Sequence, residues 1–519
     1  MSHGLVTEQF VSRDELIAMR SRTVHVIGAA SAEGVAVMRL LVSLGFTSVV
    51  PHDMRERALL RKAFRTTHGA YTRQEQDAIW EQLAPLLDRG HFGDAYLTGI
   101  SAGDVMSLGQ GWYLEPGNRA QIVDAAREVS IILSMSSLYM ALINGPVAGI
   151  TGTNGKSTTT AFVEHCFDVA ATAVRVAGNE RSSRQFLHEL DGAAHDHWAL
   201  LEVSNRQLLQ LTVSPQVAAI TALTPDHLEE HDGFAGYVAA KRRLFAHQHA
   251  RDIAIACADD AEACAAASSG PAERVLACGT GEHVGPGVRW VDGMLTAIDV
   301  PVHDTAGGGI WSGNIAHRTD VQVRGEHNLR NLAVGAAVAL ACGIDPAHVG
   351  TAIATYVGKS LRMEHLATLD GVDIWSDVKA TTPEATVAAL DALFDSAADT
   401  QPRHVHLILG GEDKGLDYSL LARAIDRYNV TAWAVPGSAT NAIIAARAHS
   451  DTATQLHEVD HLEAALDAAL ARAAAGEAVI VSPAAAGFWT TQLQGGASLR
   501  TMIRRRSRDT GNTMEAQSR

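Results

Sequence analysis

The chain has 519 residues, too many for one ordinary hydrophobic core, so two to four domains are expected. Against 42 Lys and Arg stand 58 Asp and Glu, a net charge of −16, which argues against general nucleic-acid binding because that rests on cations meeting phosphates. Mean hydropathy is +0.02 and no apolar run approaches the ~18 residues of a membrane span, so no membrane association is expected. The first residues lack a basic stretch followed by an apolar core, and a soluble cytoplasmic protein is the simplest expectation. Five cysteines with no CxxC pair predict reduced core residues rather than disulfides or a zinc site.

In chain order, Thr23 to Ile27 reads as a strand entering the small-residue turn Gly28-Ala29-Ala30-Ser31-Ala32-Glu33-Gly34. An apolar-periodic helix follows (Val35, Met38, Leu41, Val42), then a second strand, Thr47 to Val50, ending near Asp53. The turn is a degenerate dinucleotide fingerprint, so a dehydrogenase is a weak reading. A second α/β unit opens with Val147-Ala148-Gly149-Ile150 and runs into Gly149-Ile150-Thr151-Gly152-Thr153-Asn154-Gly155-Lys156-Ser157-Thr158. A glycine-rich turn between strand and helix lets backbone N–H groups face phosphate oxygens, and the helix N-terminus adds positive potential. Lys156 is then expected at the β- and γ-phosphates and Ser157 on Mg²⁺. Glu202 ends the strand-like run Trp198 to Leu201, where a carboxylate facing that loop suits Mg²⁺; a solvated strand end is the bland alternative. His227 stands among Asp226, Glu229, Glu230, His231 and Asp232, without a partner cluster for zinc. In Phe234 to Phe245, apolar residues at 234, 237, 238, 244 and 245 form one buried stripe that includes Lys241. A lysine there either snorkels or is held as a neutral amine, the form that reacts with CO₂. Asn328 and Asn331 open an apolar helix, which Asn328 would cap on spacing alone. A third unit has strands Val405 to Leu409 before Gly410-Gly411 and Ala478 to Val481 before Ser482-Pro483, with a helix over 462–475. Arg504-Arg505-Arg506 reads as a solvated basic tail.

The string Gly149 to Thr158 resembles the nucleotide loop of the Mur ligases and their folylpolyglutamate synthase relatives. Further motifs agree in order: Glu202-Val203-Ser204-Asn205-Arg206-Gln207-Leu208, Thr224-Pro225-Asp226-His227-Leu228, and Gly325-Glu326-His327-Asn328-Leu329-Arg330-Asn331. Asp377-Val378-Lys379-Ala380-Thr381, Gly410-Gly411-Glu412-Asp413-Lys414 and Ser482-Pro483-Ala484 are similar to the D-glutamate-adding branch. The resemblance implies an α/β fold of three domains: a Rossmann-like UDP-binding domain (1–146), a P-loop ATPase domain with a mostly parallel sheet (147–358), and a Rossmann-like amino-acid domain with the basic tail (359–519). It implies ATP contacts from Gly152, Thr153, Asn154, Gly155, Lys156, Ser157, Thr158, Asn328, Asn331, Arg362 and Asp377. UDP-substrate contacts are implied at Ser31, Asp53, Arg55, Asn179 and Ser204; surface charge is the alternative for Asp53 and Arg55. Lys379, Thr381, Lys414, Gly487 and Phe488 are implied to hold the amino acid. Two Mg²⁺ ions would be held by Ser157, Glu202, His227 and Lys241, the last as a carbamate, because Tyr237-Val238-Ala239-Ala240-Lys241 resembles the family's modified-lysine motif.

The departures from the family gather on the amino-acid side. A serine expected to grip glutamate is Gly487; the serine of Asp-Ser-Lys is Val378; the histidine before Arg362 is Leu361; Ala222 replaces an asparagine; and 492–496 reads Gln-Leu-Gln-Gly-Gly. Loss of one polar partner in a desolvated site costs about 1–3 kcal/mol, enough to change amino-acid preference. The expected activity is an ATP-dependent amide ligase of peptidoglycan precursor synthesis, acting as a cytoplasmic monomer. The UDP-N-acetylmuramoyl-L-alanine carboxylate attacks the γ-phosphorus, and the amine of a free amino acid, glutamate first among them, displaces phosphate from the acyl phosphate. Lys156, Glu202, His227, Lys241 and Lys379 are the expected catalytic set, and domain closure excludes water. Two alternatives stay open: a ligase for another amino acid or UDP-substrate, and a non-catalytic nucleotide-binding homologue.

Overall fold

A computed structural model describes residues 12–69, 71–109, 116–179, 184–190, 197–209, 211, 213–281, 285–302, 309–395, 401–447, 456–488 and 499–509. The chain forms two compact units: Met1–Leu223 with Leu228–Ala316 and Asn331–Ala352, and Thr224–His227 with His317–Arg330 and Ile353–Arg519.

In the first unit, β1 (Val24–Ile27), β2 (Val49–Asp53), β3 (His91–Phe92), β4 (Val105–Leu108) and β5 (Ile131–Leu133) form a parallel sheet in the order β3-β2-β1-β4-β5. A second parallel sheet comprises β6 (Val147–Thr151), β7 (Val174–Gly178), β8 (Trp198–Glu202), β9 (Val217–Ile220), β10 (Ile253–Cys257) and β11 (Arg274–Cys278), ordered β11-β10-β9-β6-β8-β7. Because β6 is flanked by β8 on one side and β9 on the other, the loops leaving these three strands meet at a topological switch point, where open α/β sheets bind ligands. β6, β8 and β9 are buried along their whole length, which is why they read as unbroken apolar runs rather than alternating ones. An antiparallel three-stranded sheet, β12 (Gly287–Val291), β13 (Met294–Val302) and β14 (Gly309–His317), has no counterpart in the sequence reading.

The second unit carries β15 (Glu364–Leu369), β16 (Val372–Ser376), β17 (Val405–Leu409), β18 (Thr431–Ala434), β19 (Leu456–Glu458) and β20 (Ala478–Val481), ordered β15-β16-β20-β17-β18-β19. All neighbours are parallel except β15 and β16. The loops after β16, β20 and β17 therefore lie side by side. The expectation of an α/β fold with mostly parallel sheets holds in both units.

The basic tail is not simply solvated. Residues Leu499–Asp509 form a helix whose Leu499, Met502 and Ile503 are buried with Leu366, Leu462 and Val479. Their i, i+3, i+4 spacing is an apolar face that the run of arginines obscures. Arg500 pairs with Glu364 and Arg506 with Asp467, while Arg504 and Arg505 are exposed. All five cysteines are free, and Cys257 lies opposite Cys278 on neighbouring strands. No helix among the described residues is long and apolar enough to cross a membrane.

Ile503, 1% exposed, is expected to be part of the second unit's core. Ile503→Ala should lower stability by about 2–5 kcal/mol in urea unfolding; a change under about 0.5 kcal/mol would show that the helix is an unattached tail.

Candidate active site

The loop after β6 is shaped by two glycines. Gly152 (φ 142°) and Gly155 (φ 91°) adopt backbone conformations that L side chains rarely take, and a Cβ on either would collide with the Thr221 or Asn331 side chain respectively. Gly155 starts the helix Lys156–Val169, whose first turn contains buried Ser157 and Thr158. The loop is tied to the strand beside it: Thr153 N–H donates to the Ala222 carbonyl (2.8 Å), and the Thr221 hydroxyl donates to the carbonyls of Thr151 (3.2 Å) and Asn154. Free N–H groups at a helix N-terminus behind such a turn bind anions.

Two lysines converge on this turn. Lys156 Nζ donates to the carbonyls of Gly152 (2.9 Å) and Thr153 (2.8 Å). Lys241, on the helix Phe234–Arg242, is fully buried and donates to the same Gly152 carbonyl (2.8 Å) and to Thr151 Oγ1 (3.2 Å). Tyr237, one turn earlier, has its ring 5.1 Å from Lys241 Nζ and its hydroxyl 3.0 Å from Thr153 Oγ1.

Glu202 ends β8 opposite Ile150, and it is 3% exposed. Its Oε2 is buried without a hydrogen-bond partner. A desolvated carboxylate oxygen left unsatisfied is costly, and a hard divalent cation would remove that cost. Among the described residues there is no group of three or more His, Cys, Asp or Glu suited to a metal. A cation here would therefore depend on Glu202, the Ser157 hydroxyl, water and ligand phosphates, which is how Mg²⁺ is usually bound beside nucleotides.

His227 belongs to the second unit and takes φ 51°. Asp226 Oδ1 accepts the His227 N–H (3.0 Å) and Lys414 Nζ (3.1 Å), and His227 Nε2 is 3.4 Å from Asp226 Oδ2. Lys414, expected at the amino acid, thus faces a carboxylate of the chain itself. His231 leaves the acidic cluster: its Nε2 is 2.7 Å from Asn205 Nδ2 and its ring packs on Tyr237.

At the carboxyl end of β2, Asp53 is 1% exposed, which removes the surface-charge reading for it. Its carboxylate accepts the N–H groups of Ala30 (3.2 Å) and Arg55 (3.1 Å) and pairs with the Arg55 guanidinium (3.1 Å), fixing the turn after β1. Ser31 caps the helix Ala32–Ser43 through Gly34 N–H (3.0 Å), and its hydroxyl donates to Gly28. Ser204 caps the short helix Asn205–Leu208, whose Gln207 reaches Glu33 at 3.0 Å, joining the β1 turn to the loop after β8. Asn179 is exposed just after β7.

In the second unit, Asn328 lies inside the helix Glu326–Ala341 and donates to the Arg324 carbonyl (2.7 Å), which removes the alternative of a helix cap. Desolvation and the nearby Arg330 and Arg362 guanidiniums push His327 down to about 4. Lys379, Thr381 and Arg362 are half-buried, and Lys379 N–H lies 3.4 Å from the Leu361 carbonyl. Gly487 takes φ 69°, and a Cβ there would lie 2.7 Å from the Glu412 carboxyl carbon. The missing serine is thus matched by an acidic side chain in the same space. Phe488 is 1% exposed, packed in the apolar core with Val481 and Leu499. Residues 492–496 lie outside the described residues. Glu412 and Ser482 entered the sequence reading only as members of motifs, without a role, and Thr386 not at all, because a threonine inside a helix carries no signal.

A parallel sheet whose switch point holds a glycine-shaped lysine loop and an unsatisfied carboxylate defines a nucleotide-dependent phosphoryl-transfer protein. The Mur ligase middle domain matches residues 150–339, and the Mur ligase glutamate ligase domain matches 361–485. A UDP-N-acetylmuramoylalanine–D-glutamate ligase of Roseiflexus sp. (strain RS-1) is 32% identical over 383 residues, covering 72% of this chain and 78% of the relative. Another so named, from Caldanaerobacter subterraneus subsp. tengcongensis, is 27% identical and covers 91% of this chain and 95% of itself. The solved UDP-N-acetylmuramate–alanine ligase of Thermotoga maritima shares the fold, with TM-score 0.54 and 14% identity, covering 94% and 100%. The chain belongs to the Mur ligase family of ATP-dependent amide ligases.

Gly155→Ala is expected to weaken ATP binding at least tenfold in calorimetry, because the added methyl meets Asn331 and the backbone is strained. Unchanged affinity in a folded variant would show that this conformation is not needed for the nucleotide.

Proposed function

We propose that this protein uses ATP to join an amino acid, glutamate in the first instance, to the carboxylate of UDP-N-acetylmuramoyl-L-alanine. The observation that carries the reading is the meeting of Lys156, Lys241 and the unsatisfied Glu202 around one phosphate loop, in a chain whose relatives bear that ligase name. The carboxylate attacks the γ-phosphorus with ADP leaving; the amine then displaces phosphate from the acyl phosphate and loses a proton to form the amide. Lys156 and the helix N-terminus offset the charge that builds between two anionic reactants. Ser157 and Glu202 would hold Mg²⁺, which supplies charge neutralisation at the phosphates. Lys241, as a carbamate, and His227 would serve the second ion. Asp53, Arg55, Ser31, Asn179 and Ser204 would orient the UDP-substrate, and Asn328, Asn331, Arg362 and Asp377 the nucleotide. Lys379, Thr381 and Lys414 would bind the amino acid. With the division placed at about 146 and 358, the first segment would carry Ser31, Asp53 and Arg55, the second the phosphate loop, and the third Lys379, Thr381 and Lys414, while Asn179 and Ser204 of the second segment would reach the UDP-substrate and Arg362 and Asp377 of the third the nucleotide.

A second reading, the same chemistry with a different amino acid, is favoured by Glu412 standing over Gly487, since a carboxylate there repels an acidic side chain. ADP release dependent on the UDP-substrate, measured across D- and L-amino acids, decides between them; no amide with any amino acid would leave only nucleotide binding. Lys156→Ala should reduce ADP release at least a hundredfold with the fold intact, about the scale of one lost electrostatic contact in a transition state; near-normal release would refute the assignment. Lys241→Arg, which cannot be carbamylated, should be equally impaired and unresponsive to bicarbonate, and full activity would exclude the modification.

A further inference from the structure

Asp377, after β16, is buried, and both of its oxygens are engaged. Oδ1 accepts the Met363 N–H (3.2 Å), and Oδ2 accepts the Ser482 hydroxyl (2.8 Å). Ser482, after β20, has no exposed surface, and its Oγ is 2.8 Å from the hydroxyl of Thr386. Thr386 lies on the helix Pro383–Leu393, is also fully buried, and is 3.4 Å from the Ser482 carbonyl. This is a buried chain of one carboxyl and two hydroxyls, joined across three segments.

We propose that Ser482 and Thr386 are positioning residues: a two-hydroxyl relay that holds Asp377 ionised and oriented for the reaction. The inference rests on the ligase reading and gives a role to Thr386 and to Ser482, which the family resemblance names only within a motif. The relay has two polarities, and in each every proton has an acceptor. With Asp377 ionised, Thr386 O–H donates to Ser482 Oγ, and Ser482 O–H donates to Asp377 Oδ2. When a proton from solvent adds to Oδ2, the carboxylic acid donates to Ser482 Oγ, Ser482 turns its hydrogen to Thr386, and Thr386 turns to the Ser482 carbonyl. A hydroxyl can reverse in this way and an amide donor cannot.

Charge decides which polarity is populated. Burial raises the Asp377 carboxyl to about 7, far above the ordinary carboxylate range, and the Ser482 hydrogen bond, the Arg362 guanidinium and the Met363 N–H oppose that rise. Lys379 is two residues along the same loop, and Glu364, two residues beyond Arg362, is committed to Arg500. Because the Ser482 hydroxyl favours the ionised form, removing it raises the midpoint further, and reactivity that needs the carboxylate fails at a higher pH.

The test combines two readouts on the full chain. In protein labelled with ¹³C at aspartate carboxyls, the resonance missing from Asp377→Asn identifies Asp377. Its titration midpoint should rise by about one pH unit in Ser482→Ala, the scale of one hydrogen bond to a charged group. The rise should be smaller in Thr386→Val, and Thr386→Ser should restore the wild-type value. The acid limb of kcat/KM for ATP should move with it, so that Ser482→Ala loses about tenfold at the foot of the limb and far less above pH 8.5. A midpoint unmoved in folded Ser482→Ala overturns the relay. A moved midpoint with an equal loss of kcat/KM at every pH overturns its role in the reaction. A moved midpoint in a protein that releases no ADP with any substrate supports the relay and defeats the ligase reading instead.

Discussion

Two lysine side chains share one carbonyl oxygen. Lys156 and Lys241 come from different helices, and each donates to Gly152 at hydrogen-bond distance. The loop that holds them is tightly packed: a Cβ at Gly152 would meet Thr221 and one at Gly155 would meet Asn331, and the Thr221 hydroxyl ties the turn to the strand beside it. The unsatisfied Glu202 oxygen adds the opposite sign one strand away. The two lysines and the carboxylate thus lie around one loop of the first unit.

The second unit solves a different problem. Its three adjacent loops present Asp377 and Lys379, Glu412, and Ser482 to Gly487 at the carboxyl ends of parallel strands. Backbone pairing knits them: Asp377 N–H to Val481, Ser482 N–H to Ile408, and Glu412 with Ala486 in both directions. That rigidity lets Glu412 stand over Gly487 and lets Ser482 reach Asp377. The departures from the family pattern at 378 and 487 are therefore changes of polarity and volume in a fixed frame.

Legibility differed between these regions for physical reasons. The phosphate loop was legible because its chemistry needs contiguous residues: glycines, lysine and serine on one turn. Glu202 and Lys241 were legible because each sits where local periodicity ends or faces inward. The Asp226–Lys414 pair, the Glu412–Gly487 contact and the Asp377–Ser482–Thr386 chain join residues from 75 to 188 positions apart, taking the partners by number, and no local period announces them. The C-terminal helix was misjudged because its charge outweighs its short apolar face. The β12–β14 sheet was missed because antiparallel edges with mixed burial give no continuous apolar run.

The sequence by itself determined the parallel α/β sheets, the nucleotide loop and the family, because these depend on short-range pattern and on glycine geometry that no other residue supplies. Tertiary structure decided which groups are desolvated and what they meet. Asp53 becomes a buried clamp, Lys414 acquires a carboxylate, and Asp377 is lifted to about 7. Those outcomes follow from burial and from the sheet order that brings distant loops together, and the energy of a charge depends on its surroundings, which a linear chain does not contain.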